Sequence, residues 1–208
     1  MKRYIDISYP VTASVLSIMS GIDSWLDYED LAAMNNHLAG LTNLYVPGDK
    51  VNKTDIASVY CGRYFTKAWI VTVNDITPGD VLTCDILGDT EDKFNTGDSL
   101  LIKSDWSKNH TDRNLFFDKY PTLGVDLAEW LVRKQANMVL ADTPFLANNH
   151  YLPEFSDVYS KLGESKILAV TGLTNLDILG GESVDLVIMP LKLRDLNYSP
   201  VRVIAVLP

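Results

Sequence analysis

The chain has 208 residues, the length of one ordinary-to-large domain, and 47% of them are hydrophobic, enough to bury a substantial core. A formal net charge of −9 argues against nucleic acid and against an anionic membrane surface, because both are bound through clusters of Lys and Arg, and none occurs here. Cys61 and Cys84 sit in no CxxC spacing and make no disulfide framework. With no signal-peptide core after Lys2 and Arg3 and no apolar run near about 18 residues, a cytoplasmic protein is expected.

Residues 3–9, RYIDISY, alternate apolar and polar and predict an edge or half-buried strand ended by Pro10. Residues 11–19 are apolar without a clear period. Residues 24–38 carry Trp25, Leu26, Leu31, Met34 and Leu38 behind the acids Asp27, Glu29 and Asp30, a pattern that fits a helix with its acids at the positive end. Residues 41–46 form a short strand candidate before the turn signal Pro47-Gly48-Asp49-Lys50. Residues 55–60 fit no single element. Residues 68–73, AWIVTV, read as a buried strand, residues 81–87 as another, and residues 99–103, SLLIK, as a third.

Residues 126–134, DLAEWLVRK, give the clearest helix, with Leu127, Trp130, Leu131 and Lys134 on one face. A strand over 137–141 ends at Asp142-Thr143-Pro144, and a helix is expected around 156–161. Three β-branched-rich runs follow, 167–170, 184–189 and 201–207, separated by Gly, Asn, Asp and Pro. Strands and helices alternate, which predicts an α/β architecture with a mixed sheet in one domain over residues 1–208.

Three histidines occur, His37, His110 and His150, and nothing spaces them as i, i+4 pairs or tight metal clusters. His150 follows the strand end at Asp142. Asp105 and Asp142 sit just after predicted strands, where α/β proteins tend to place ligand sites. Asp142 equally fits a turn or a helix cap through Thr143-Pro144. Asp105, Asp142 and His150 are the candidates for acid, base or ligand work, and no catalytic group is identified among them. The two cysteines fit packing roles. Gly180-Gly181 is a turn rather than a phosphate loop. Of the aromatics Trp25, Tyr28, Tyr45, Tyr60, Tyr64 and Trp69, most are expected in the core.

The C-terminal wording LTNLD (173–177), MPLKL (189–193) and SPVRVIAVLP (199–208) resembles the cyclase-like metal-dependent hydrolase family, which includes the bacterial kynurenine formamidases. So do KSDWS at 103–107, AEWL at 128–131 and MVLADTP at 138–144, in the family's order. YIDISYPVT at the start and YVPGDK at 45–50 match more loosely. The resemblance implies the swivelling β/α/β fold of that family, with its mixed sheet, and a homodimer or larger homo-oligomer.

The family hydrolyses amides such as N-formylkynurenine with zinc or manganese, held by an H-x-G-T-H-x-D-x-P-x-H motif and a later His and Glu. A metal there polarises the carbonyl and lowers the pKa of bound water. Anchoring the motif on Pro47-Gly48 puts its ligands on Met34, Leu38, Gly40 and Leu44. Counting back from LTNLD puts the later His on Tyr159 and the Glu on Thr171. None of these residue types gathers a borderline metal. The expectation is therefore a divergent, metal-free family member with no cofactor, a pseudoenzyme that binds a small molecule or a protein partner in the vestigial pocket. The alternative is an active arylformamidase-type hydrolase using zinc or manganese, with ligands relocated among His37, His110, His150, Asp105 and Asp142.

Overall fold

The computed structural model describes residues 2–10, 42–47, 55–148 and 152–208, with the backbone alone for 152–156. The apolar segment 11–19 and the helix expected over 24–38 lie outside the described residues.

Among the described residues, ten strands and four α-helices follow in chain order: β1 (Arg3–Asp6), β2 (Asn43–Tyr45), β3 (Phe65–Thr72), β4 (Val81–Leu82), α1 (Thr90–Lys93), β5 (Ser99–Lys103), α2 (Arg113–Asp118), β6 (Thr122–Leu123), α3 (Val125–Arg133), β7 (Met138–Ala141), α4 (Leu152–Glu164), β8 (Leu168–Thr171), β9 (Ser183–Pro190) and β10 (Tyr198–Leu207). The main sheet is mixed and runs β1-β10-β2-β8-β7-β5-β3-β9. Because β9 also pairs with β10, seven strands close into a barrel and β1 lies beside β10. Strands β3, β5, β7 and β8 are mutually parallel, and the other pairings of the main sheet are antiparallel. The α/β architecture with a mixed sheet is the expected one; the closure is the feature that periodicity does not reveal.

The two kinds of strand differ in sequence for a physical reason. The parallel strands β5, β7 and β8 are buried along almost their whole length, as continuous apolar runs covered on both faces must be. One set of side chains, including Ala68, Leu101, Met138, Leu140, Leu168 and Val170, fills the barrel with Leu44, Leu186, Ile188 and Val203. The alternate set, including Val71, Ile102, Val139 and Ala169, faces outward under Leu127, Trp130 and Leu131 of α3 and Val158 and Leu162 of α4. Glu129 and Lys161 tie those two helices at 2.8 Å. β9 and β10 instead alternate buried and open positions, the signature of a sheet with one wet face.

Three expectations need correction. The run 81–87 is strand only at Val81–Leu82, which pairs with β6 in a separate two-stranded ribbon. There Cys84 N–H donates to Asp126 Oδ2 at 2.9 Å, and the chain turns into the 3-10 helix Cys84–Ile86 instead. Cys61 is exposed and does not pack in the core, while Cys84 is half-buried and packs against the core as expected; burial pushes its thiol up to about 11. Tyr60 is 75% exposed rather than core. The ambiguous 55–60 stretch holds the 3-10 helix Ile56–Ser58, capped by Asp55, whose Oδ1 accepts from Ser58 N–H at 2.8 Å.

Leu140 is fully buried inside the barrel. Leu140→Ala is expected to lower unfolding free energy by about 2–5 kcal/mol, whereas Ile178→Ala, at a residue 49% exposed, should cost under about 0.5 kcal/mol. Urea unfolding of the two variants beside the parent checks both.

Candidate functional site

The C-terminal ends of the parallel strands β5, β7 and β8 meet at one end of the barrel. In open α/β sheets this is where loops leave the sheet and ligands bind. Ser104 and Asp105 leave β5, Asp142 and Thr143 leave β7, and Thr171 and Gly172 close β8. Gly172 has a φ of 69°, which glycine tolerates without strain. Its N–H donates to Thr143 O at 2.8 Å.

Asp142 is fully buried. Its Oδ1 accepts Ser104 N–H at 3.1 Å and Ser104 Oγ–H at 2.5 Å, while Oδ2 is buried with no hydrogen-bond partner. Burial holds the carboxyl above its usual range, against the lowering pull of those hydrogen bonds. Asp142 thus ties the end of β7 to the loop after β5, a long-range contact rather than the local turn or helix cap through Thr143-Pro144. Asp105 sits next along, in the left-handed region at φ 60°. It points to solvent and pairs with Lys108 at 2.6 Å.

The 3-10 turn Trp106–Asn109 continues the same loop. Ser107 O accepts from Tyr9 Oη–H at 3.1 Å and lies 3.1 Å from His110 Nδ1. The Tyr9 and His110 rings meet edge to face at 5.3 Å. Burial pushes the Tyr9 phenol up to about 12, which keeps it a donor. Tyr9 N–H in turn donates to Thr42 Oγ1 at 2.7 Å, and Thr42 Oγ1–H to Gly172 O at 2.6 Å. The chain just after β1, the start of β2, the end of β8 and the loop after β5 are therefore joined by hydrogen bonds. Asp105, Asp142 and His110 all converge on the 104–110 loop, yet each spends its polar atoms on a different local partner.

The positions where the resemblance puts the family's metal ligands divide differently. Thr171 stands directly across from Asn43, so the two share a face. That face is the outer one, because Val170 and Leu44 between their neighbours point into the barrel. Tyr45 lies on the outer face as well, and its ring meets that of Tyr159 from α4 edge to face at 5.2 Å. Tyr159 Oη accepts Leu146 N–H at 3.2 Å, and burial raises its pKa strongly. Leu44 is not brought to this group: it is fully buried in the barrel interior. Met34, His37, Leu38, Gly40 and His150 lie outside the described residues. Asn43, Tyr45, Tyr9 and Ser104 are members of this end of the barrel that sequence reasoning did not single out as site residues. The strand period was the available signal for Asn43 and Tyr45, since it alternates their side with that of Leu44.

Residues 5–147 match the family model Cyclase, described as "Putative cyclase", well over half of the chain. The chain belongs to the cyclase family. Solved structures give the same fold. An isatin hydrolase bound to the product analogue thioisatinate superposes with a TM-score of 0.72 at 19% identity, over 82% of this chain and 72% of that one. Isatin hydrolase A from Labrenzia aggregata, bound to benzyl benzoate, gives 0.76 at 16% identity over 99% and 94%. A predicted metal-dependent hydrolase from Bacillus stearothermophilus gives 0.72 at 16% over 99% and 98%. No curated protein matches the chain. No described helix is long and apolar enough to cross a membrane.

The described residues do not fit the divalent metal that the family's chemistry implies. Thr171 and Tyr159 offer a hydroxyl and an un-ionised buried phenol, and Asn43 an amide. Zinc and manganese sites are built from thiolate, imidazole and carboxylate. Among the described residues no three His, Cys, Asp or Glu side chains are grouped to hold an ion.

The buried Asp142 gives a signed pH prediction. Its folded-state pKa is raised, so the folded chain binds the proton more tightly than the unfolded chain, and stability drains away as pH rises from the ordinary carboxylate range through the folded pKa. Asp142→Asn keeps an acceptor for Ser104 without the titration. The variant is expected to gain stability relative to the parent between about pH 4 and pH 7 in urea unfolding; a parent that gains on the variant over that range overturns the assignment. Ser104→Ala, which strips the Oγ donor from a buried carboxyl, should cost about 1–3 kcal/mol.

Proposed function

We propose that this chain is a divergent cyclase-family protein that binds a small aromatic ligand in the family's pocket and does so without a divalent metal. The observation that carries the reading is Tyr159. It stands where the resemblance puts a metal-ligating histidine. Its oxygen accepts the Leu146 N–H, its ring packs on Tyr45, and its pKa is raised by burial. A phenol can ligate a metal only by losing its proton, and desolvation opposes that loss. Thr171 on the neighbouring β8, where the resemblance puts a glutamate, is equally neutral. A carboxylate left there without a cation would be a buried, uncompensated charge, so neutral replacements at both positions agree with one another.

The ligand class follows from what remains. Tyr45 and Tyr159 supply aromatic faces and edges, while Asn43 and Thr171 supply amide and hydroxyl groups on the same outer face of β2 and β8. Apolar walls with a few convergent polar groups suit a small aromatic molecule. Two structural relatives hold such molecules, thioisatinate in one and benzyl benzoate in the other.

The test begins with elemental analysis by inductively coupled plasma mass spectrometry, after incubation of the full chain with zinc and manganese and desalting. Metal well below one ion per chain is expected, together with no turnover of a formamide substrate. Near-stoichiometric metal would sink the metal-free reading and return attention to His37, His110 and His150 as relocated ligands. Isothermal titration with thioisatinate and with benzyl benzoate then reads the pocket. Binding of either is expected to weaken by about tenfold or more in Thr171→Trp, and no binding of either removes the ligand assignment.

A further inference from the structure

The amino ends of β3, β5 and β7 meet at the end of the barrel away from Asp142. An open cleft of about 400 Å³ lies there. It is lined by Tyr60, Arg63 and Phe65 from the chain entering β3, and by Gly97, Gln135 and Ala136 from the turns entering β5 and β7. That volume is within the range of small-molecule sites. The two turns are joined, with Gly97 N–H donating to Gln135 O at 3.1 Å. On the other strand, the short 3-10 turn Cys61–Tyr64 carries Arg63 and is bracketed by the two aromatics. Tyr60 is 75% exposed and Phe65 63%. Tyr60 still has a fixed seat: its ring lies against Gly62, where a Cβ would strike Cε1.

Arg63 is the charged group of this cleft. It is half-buried, and burial lowers its pKa, as for a cation stripped of part of its water. Nε donates to Asn137 Oδ1, and Nη2 donates to Asn137 O and Lys166 O. Three of the five guanidinium N–H groups are thereby spent on neutral acceptors. The two on Nη1 have no partner among the described residues. No described carboxylate pairs with the group. Asp98, beside Gly97, turns its Oδ2 to Trp69 Nε1–H and Asn95 N–H at 2.8 and 3.0 Å. A tie between loops needs only the three spent donors. What exceeds that role is a fixed cation without a counter-ion, on a chain whose net charge is −9. Because its side chain is already held, little freedom is lost when an anion meets it, and partial desolvation strengthens the attraction.

We propose that this cleft binds a small aromatic carboxylate, with its charge at Arg63 Nη1 and its ring against Tyr60 and Phe65. One uncompensated cation with one unspent nitrogen suits a singly charged anion. A phosphate-rich ligand needs further bases, and the acidic chain repels it. Two open aromatic side chains suit a flat ring, which they meet by stacking or edge to face. The site lies at the far end of the barrel from Tyr159 and Thr171 and stands independently of the reading made there.

The test is isothermal titration of the full chain with 2-naphthoate and with its neutral counterpart 2-naphthamide. The acid is expected to bind with a Kd below about 1 mM, and the amide at least ~tenfold more weakly. Tyr60→Ala/Phe65→Ala changes two open positions, so circular dichroism and thermal midpoint should be preserved, while the acid binds about tenfold or more weakly. Thr171→Trp, at the other end of the barrel, should leave the acid's affinity at this site unchanged, which separates the two pockets. Arg63→Gln should bring acid and amide to equal affinity, a ratio taken within one variant and so insensitive to any loosening of the Asn137 and Lys166 loops. No binding of the acid at ~5 mM, equal affinity for acid and amide in the parent, loss of all binding in Thr171→Trp, or a Tyr60→Ala/Phe65→Ala variant that binds as the parent does overturns the proposal.

Discussion

The structure depends on β10. A sheet with free edges would present rows of unpaired N–H and C=O groups. Here the last long strand removes most of that liability. One edge of β10 pairs with β9 over Val201–Val206. The other edge is shared end to end by β2, at Tyr198–Pro200, and β1, at Ile204–Leu207. The chain's two most distant stretches are thereby locked together, and Ile7 N–H continues the ladder to Val203 O at 3.0 Å. Without β10, β2 and β9 would be loose edges and the interior around Leu44 and Ile188 would open to water. Contacts of such sequence separation are costly to close and form late in folding, so the barrel completes only when the C-terminal strand arrives.

Closure also explains why the two faces of the molecule have different jobs. The right-handed crossovers that join parallel strands carry helices, and these cover β3, β5, β7 and β8. Their loops gather at the carboxyl ends, where Ser104, Asp142 and Gly172 meet. The antiparallel strands β9 and β10 need no crossover helix, and no helix among the described residues covers their outer face. An end of the barrel ringed by loops and an open sheet face are thus consequences of one topology. The opposite end of the barrel is tied by Arg63, whose Nε donates to Asn137 Oδ1 at 2.8 Å and whose Nη2 donates to Asn137 O and Lys166 O at 2.7 and 2.8 Å. That leaves the loops at the carboxyl ends of the parallel strands as the part of the molecule best placed to vary.

Much of this was legible in the sequence, and the gaps have physical causes. Ser99–Lys103 reads as a buried strand because it is covered on both faces, and the α3 helix because its apolar residues repeat with the helical period. The run 81–87 failed as a strand because its hydrophobicity serves a 3-10 turn held by Asp126, a tertiary contact no local pattern encodes. The closure was invisible because it rests on pairings across nearly the whole chain. At the site, Asp142 was visible as a residue at a strand end, open to a ligand role or a local turn or cap; its tie to Ser104 is a tertiary contact that no local pattern encodes. Leu44 was placed among former ligands by its distance from Pro47-Gly48, but the pleat sends it inward and presents Asn43 instead. Side-chain direction is a property of the strand, and spacing along a motif does not carry it unless the strand has been found first.

The chemistry at the carboxyl ends follows from what charge costs in a buried site. In a metal site, imidazoles and carboxylates are tolerated because the cation compensates them, and each ligand raises the penalty for losing the ion. Once the ion is not held, a remaining carboxylate must be neutralised, paired or replaced. Asp142 illustrates the first two: it stays buried because Ser104 donates to it twice and because its pKa rises toward the neutral form. Thr171 and Tyr159, where the resemblance puts the Glu and the later His, carry neutral groups, which need no counter-ion in a buried site. The tolerated acid and the neutral replacements obey the same rule.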